Sequence, residues 1–184
     1  MAHTRAAQNW AKSRWLKMSS EGIRRDAKRA RYALRASGVQ RGWVVHAEAG
    51  LDELCSLSMN HIVSLHGEDA VHLDPASFGC AAAPLESLAG ERPVGAARIV
   101  EALLSNQGSR AQEDTVLLNA AAVLVLAEAE RDLHAAFERC RRALRKGQAL
   151  RLLEGLRKVK DSDSIAFELL PADSVVKHLD LYAE

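Results

Sequence analysis

The stretch Trp43 to Leu54, WVVHAEAGLDEL, constrains the fold more than any other part of the chain. Trp43-Val44-Val45 is a short apolar run, and the polar turn after it closes on Gly50-Leu51-Asp52-Glu53. This is how a buried strand delivers two adjacent carboxylates to the end of a sheet. In open α/β sheets, ligand crevices lie at the carboxyl ends of the strands. Two neighbouring acids there suit a hard cation. Mg²⁺ takes one or two carboxylates and fills its other positions with water and substrate phosphates. Taken alone, an Asp-Glu pair in a loop is ordinarily a solvated turn. Asp52 and Glu53 are therefore candidate metal ligands that need support from the rest of the chain.

The flanking segments read mostly as helix. Ser20 can cap a helix that ends at Gly38, with Ile23, Ala27, Ala30 and Leu34 on one apolar face. Helix, tight loop and strand then form half of a parallel α/β unit. Leu54 to Leu57 fits a short strand. His61 to Leu65 and Ala70 to Leu73 read as two strands joined by His66-Gly67-Glu68-Asp69. Asp74-Pro75 opens a turn that Phe78-Gly79 ends, and a short helix is expected from Pro84 to Leu88. Pro93 opens a helix burying Ala96, Ile99, Val100, Leu103 and Leu104, which Asn106 and Gly108 terminate.

Gln112 to Ala129 is the most apolar segment and is expected as a buried central helix. Asp114 complements the dipole at its start, and Asn119 is its one polar interruption. Asn119 either orients a backbone loop or is satisfied by a neighbouring turn. Glu130 to Lys146 is amphipathic, with Leu133, Ala136, Phe137, Cys140 and Leu144 on one stripe, and Gly147 ends it. Gln148 to Val159 continues with Leu152, Leu153 and Leu156. His46, His61, His66 and His72 match no zinc-ligand spacing and are read as strand and turn residues.

Composition narrows the class. With 184 residues, 48% of them hydrophobic and 27% charged, the chain can bury a core. No apolar run reaches membrane-spanning length, the longest being Ala120 to Ala127. Three scattered cysteines fit reduced thiols and an intracellular location, cytoplasmic or, if the basic start is a transit peptide, plastid. Residues 1–40 carry ten Lys/Arg against Glu21 and Asp26, a net of +8, which leaves −7 for the remainder. With no aromatic stacking platform or base-reading motif, that arm is weak evidence for nucleic-acid binding. The organisation expected is a basic, disordered arm at 1–19, an α/β domain at 20–159 and a polar linker and tail at 160–184.

Four blocks occur in order: VVHAEAGLDEL, LDPASFG (73–79), VLLNAAAVL (116–124) and KGQAL followed by LEGL (146–156). Together they resemble anthranilate phosphoribosyltransferase, from about Tyr32 to Lys158, over the C-terminal part of its large lobe. The resemblance implies an α/β fold: a partial nucleoside-phosphorylase/phosphoribosyltransferase-like lobe, with a mixed sheet packed with several helices. It implies transfer of a phosphoribosyl group from phosphoribosyl pyrophosphate to anthranilate in tryptophan biosynthesis, with Mg²⁺ as cofactor. It makes Asp52 and Glu53 metal ligands against the pyrophosphate rather than acid/base catalysts. Homodimers are common in the family.

The departures are specific. A glycine-rich phosphate loop of the GTGGD type does not occur in these residues, whose 11 glycines are scattered singly. The family's N-terminal helical domain, its Lys-His-Gly-Asn segment, its Ser-rich loop and its Asn-Pro-Ala region do not occur either. Ala47 stands where the family usually has Gly, Ser58-Met59-Asn60 where it has Gly-Pro-Thr, and Gly95 where it has Asn.

Three readings follow. One is a partial phosphoribosyltransferase. Another is a non-catalytic structural or regulatory module that pairs with itself or with a full-length relative. The third is a pyrimidine-nucleoside-phosphorylase-type enzyme, against which GLDE and LLNAAA argue. A lobe without its neighbours would expose a strand edge and apolar helix faces, which the N-terminal helix and C-terminal tail are available to cover.

Overall fold

The computed structural model describes residues 20–67, 70–89 and 93–161. The chain forms two compact units that divide between Ser87 and Leu88. The expected arm at 1–19 and the tail beyond Asp161 lie outside the described residues. No helix among the described residues is long and apolar enough to cross a membrane.

The first unit contains helix α1 (Ser20–Ala36) and strands β1 (Trp43–Ala47), β2 (Asn60–Ser64) and β3 (Ala70–Leu73), followed by a 3-10 turn at Pro75–Phe78. Helix α1 lies against β1 and β2. Ala27 is buried and Ala30 and Leu34 are half-buried, on the face that the periodicity predicts. Gly38 ends the helix at φ +81°. Its N–H reaches the Arg35 carbonyl, and the Val39 N–H reaches that of Leu34. These two bonds satisfy carbonyls that a helix end otherwise leaves open.

The sheet has the order β1-β2-β3, and both pairings are antiparallel. The helix–loop–strand pattern pointed to a parallel unit, but the partner β1 takes here is antiparallel. A parallel return needs a crossover, usually a helix, whereas residues 48–59 contain only turns. Among the described residues β1 pairs on one side only, and Trp43, Val44 and Val45 are half-buried rather than buried. Leu54–Leu57 is a turn, not a strand. Leu54, Cys55 and Ser56 are buried there, but a side chain rather than a neighbouring strand takes up the Cys55 backbone groups. The Asp74–Gly79 turn forms as expected: Asp74 Oδ1 accepts the Ala76 N–H at 2.9 Å, and Pro75 and Phe78 are buried. Leu85–Leu88 is a further 3-10 turn at the division.

The second unit contains α2 (Pro93–Leu104), α3 (Arg110–Leu126), α4 (Leu133–Arg145) and α5 (Gln148–Asp161). Helix α2 ends where the sequence implied, with Asn106 at φ +60° and the Gln107 N–H on the Ala102 carbonyl at 2.7 Å. Its Val100, expected in the core, is exposed. Ser109 and Gln112 form a reciprocal capping box that starts α3 two residues earlier than its apolar run suggests. Leu117, Leu118, Ala121 and Ala122 are buried, but Val116 and Val123, seven residues apart, are 45% and 63% exposed. Helix α3 is thus covered on one side, by α4, rather than surrounded as its composition implied. Asp132 caps α4 by accepting the Ala135 N–H at 2.9 Å, and α4 buries Ala136, Phe137 and Leu144.

Asp114 was placed by the sequence at the helix dipole. It stands one turn further in and is 1% exposed. Its Oδ2 receives Arg110 Nε at 3.0 Å, and Arg141 of α4 approaches Oδ1 at 3.8 Å. The Arg141 guanidinium also lies 4.6 Å from the centre of the Phe137 ring. Asn119 Nδ2 donates to the Thr115 carbonyl, one turn back, at 2.9 Å, which is the local solution among those the sequence left open.

Candidate metal and pyrophosphate site

The acidic pair sits on a loop braced at both ends. At the end of β1 the Gly50 N–H bonds the Ala47 carbonyl at 2.8 Å, and the Ala47 N–H bonds the Leu51 carbonyl at 3.1 Å. Gly50 adopts φ +86°, a conformation that disfavours side chains, so the tight reversal requires glycine there. Two further bonds tie the loop across: Glu48 N–H to the Met59 carbonyl at 2.9 Å and Ala49 N–H to Ser58 Oγ at 3.1 Å. Asp52 and Glu53 follow, both exposed. Leu54 and Cys55 then turn inward and are 1% and 0% exposed.

Asn60 closes the far end. Its side chain is 0% exposed. Oδ1 accepts the Cys55 N–H at 2.7 Å, and Nδ2 donates to the Cys55 carbonyl at 2.9 Å and the Ser58 carbonyl at 3.0 Å. The sequence registered Ser58 and Asn60 only as departures from a family pattern, but in the fold they hold the loop that carries the acids. Ala47 is likewise accommodated: it is fully buried, and its φ is not positive.

The donor set suits only part of a coordination shell. Among the described residues no three His, Cys, Asp or Glu side chains gather to hold a metal ion. Two exposed carboxylates on a braced loop fit Mg²⁺, which completes its shell with water and phosphate oxygens. They do not fit a cation that needs an all-protein cage.

Of His46, His61, His66 and His72, three line up beside this loop. The register pairs His46 with His61 and His61 with His72, which puts all three on one face of the sheet. The His46 and His61 rings are nearly parallel with centroids 6.3 Å apart, and His61 and His72 meet edge to face at 4.7 Å. His61 Nε2 lies 3.1 Å from Glu48 Oε1, and His66 Nε2 lies 2.6 Å from the Gln40 carbonyl. A hairpin turning at His66-Gly67 makes the His61–His72 pair legible in sequence. The His46–His61 pair depends on the length of the acidic loop.

Burial pushes the His46 pKa down, neighbouring His61 adds to the effect, and Glu48 opposes it. A histidine whose pKa is lowered on folding stabilises the fold above its unfolded pKa, near 6.5, and loses that contribution as pH falls through the folded value. The denaturant midpoint is therefore expected to fall on acidification below about pH 6.5, and His46→Gln to reduce that slope. A slope unchanged in His46→Gln would remove the assignment.

The chain is an α/β protein that presents an acid pair on a braced loop after a strand. Comparison with known proteins places it more closely. The family whose sequence model matches residues 24–150 is described as "Glycosyl transferase family, a/b domain", and the chain belongs to it. The anthranilate phosphoribosyltransferase of Roseiflexus sp. strain RS-1 is 36% identical over 127 residues, which cover 67% of this chain and 37% of that protein. The crystal structure of the anthranilate phosphoribosyltransferase from Thermus thermophilus is similar with a TM-score of 0.62 and 34% identity, over 70% of this chain and 38% of that one.

The Saccharomyces cerevisiae enzyme, solved in complex with PRPP and Mg, shares the fold with a TM-score of 0.61 and 24% identity, over 74% of this chain and 39% of that one. The α/β fold and the family resemblance read from the four sequence blocks are both borne out. The chain spans little more than a third of the length of the curated relatives it matches.

Proposed function

We propose that this chain serves phosphoribosyl transfer from phosphoribosyl pyrophosphate to anthranilate, a step of tryptophan biosynthesis, by supplying the acidic pair that holds Mg²⁺ at the pyrophosphate. The observation that carries this reading is the presentation of Asp52 and Glu53 on a loop fixed by Gly50 at one end and Asn60 at the other, in a family-matched α/β chain. Asp52 and Glu53 would be the metal ligands. Bound Mg²⁺ would offset negative charge as pyrophosphate departs from the ribose. The Ala47–Leu51 turn and the Asn60 side chain keep the two carboxylates from relaxing away from that position. Preorganised groups act without reorganising during the reaction.

These residues contain no glycine-rich phosphate cradle, so the rest of the donor site comes from other residues. A longer form of the chain, a second copy or a full-length relative are the sources to test. Calorimetric titration with phosphoribosyl pyrophosphate, with and without Mg²⁺, examines the reading directly. Saturable binding that requires Mg²⁺ is expected, with affinity falling about tenfold or more in Asp52→Ala, the loss of one charge-assisted contact. Affinity unchanged in that variant would remove the metal role. No binding in either condition, repeated after addition of a full-length relative, would favour the non-catalytic module.

A further inference from the structure

Helix α5 carries a surface made for an acidic, apolar segment, and we infer that its occupant is this chain's own C-terminal tail, residues 162–184, folding back along the helix. Beyond Leu150, only Leu153 of α5 is even half-buried among the residues whose side chains are described. Leu152 and Leu156, one turn apart, are 64% and 54% exposed. A helix of this length is marginal in water unless an apolar face is packed. An ion pair from Arg157 to Glu101 sets the same turn of α5 beside the turn of α2 that carries exposed Val100.

Charge selects the occupant. From Arg139 to Lys160 the chain has nine Lys/Arg and a single acid, Glu154. Arg139, Arg141 and Arg157 pair with Glu130, Glu138 and Glu101. Arg142, Arg145, Lys146, Arg151 and Lys158 stay exposed with no carboxylate partner among the described residues. The tail has the opposite composition: Asp163, Glu168, Asp173, Asp180 and Glu184 against Lys177. Its first apolar group is Ile165, Phe167, Leu169 and Leu170.

Reach is short. Leu156 and Asp161 are separated by about 7.5 Å of helix. Ser162-Asp163-Ser164 is long enough to reverse the chain, since connections of about 2–8 residues join packed elements. A reversal there would bring the apolar and acidic residues of 165–170 within reach of Leu156, Leu152 and the basic side chains. A second copy docking through the same face would bring two basic surfaces together, which costs rather than contributes. The inference does not depend on the transferase reading.

Two measurements on the full chain decide it. In Phe167→Asp/Leu170→Asp, amide hydrogen exchange over Leu152–Leu156 is expected to speed up about tenfold or more, while α3 and α4 keep their protection. With Cys55, Cys80 and Cys140 replaced by alanine, Leu156→Cys/Phe167→Cys is expected to form a disulfide within one chain, seen at monomer mass. Unchanged α5 exchange in the double aspartate variant would overturn the inference. So would a cross-link found only between chains, which would make a second copy the occupant.

Discussion

Asn60→Ala is expected to destabilise the sheet unit by about 2–4 kcal/mol, because it strands two buried backbone groups and one half-buried one at once. The Cys55 N–H, the Cys55 carbonyl and the Ser58 carbonyl all have Asn60 as their partner, at 2.7, 2.9 and 3.0 Å. Alanine leaves these groups in a site that admits no solvent to the wild-type side chain. Against a typical domain stability of about 5–15 kcal/mol, this is a large fraction. Urea titration of wild type and variant measures it, with Glu86→Ala, at an exposed position, as a near-neutral control. A loss below about 1 kcal/mol would mean that the loop finds its bonds elsewhere. Ser58→Ala removes one half-buried bond and is expected to cost only about 1 kcal/mol, which separates the buried staple from its neighbour.

Asp114→Ala is expected to cost the helical unit about 2–4 kcal/mol. The carboxylate is 1% exposed and lies between Arg110 on its own helix and Arg141 on α4. Its removal leaves the Arg141 guanidinium, 14% exposed, without one of its two carboxylates. Breaking one side of a buried pair costs more than the pair contributes, because the remaining charge is left in a poor solvent. Glu138, 2.5 Å from Arg141, keeps the penalty below the full value for an isolated buried charge. Arg110→Ala leaves the Asp114 carboxylate, 1% exposed, without its 3.0 Å partner and with Arg141 only at 3.8 Å, and is expected to cost about 1–3 kcal/mol. A loss below about 1 kcal/mol in both variants would mean that the cluster contributes little to the unit. The same titration read by helix signal tests both.

Much of the local structure was legible in the residues themselves. The spacing of Ala27, Ala30 and Leu34 located the face of α1, and Gly38 and Asn106 marked helix ends because they adopt positive φ at little cost. Pro93 and the Asp74–Gly79 segment announced their elements for the same kind of reason: each signal acts between residues a few positions apart. The acidic pair was also legible, since a short apolar run followed by Gly50-Leu51-Asp52-Glu53 names a strand, a tight turn and two exposed carboxylates. The four ordered blocks carried the family.

Tertiary structure decided whatever depends on residues distant in sequence or on what packs alongside. The direction of β1's partner depends on how residues 48–59 return, and turns rather than a helix made that return antiparallel. The value of Asn60 depends on Cys55 and Ser58 folding around it. Helix α3 is apolar nearly all round, yet Val116 and Val123 stay exposed because the second unit covers one side of it. Asp114 read as a dipole partner until Arg141 arrived from the next helix. Local periodicity and turn chemistry specify elements through short-range sterics and hydrogen bonds. Register, burial and the partners of charged groups are set only when those elements meet.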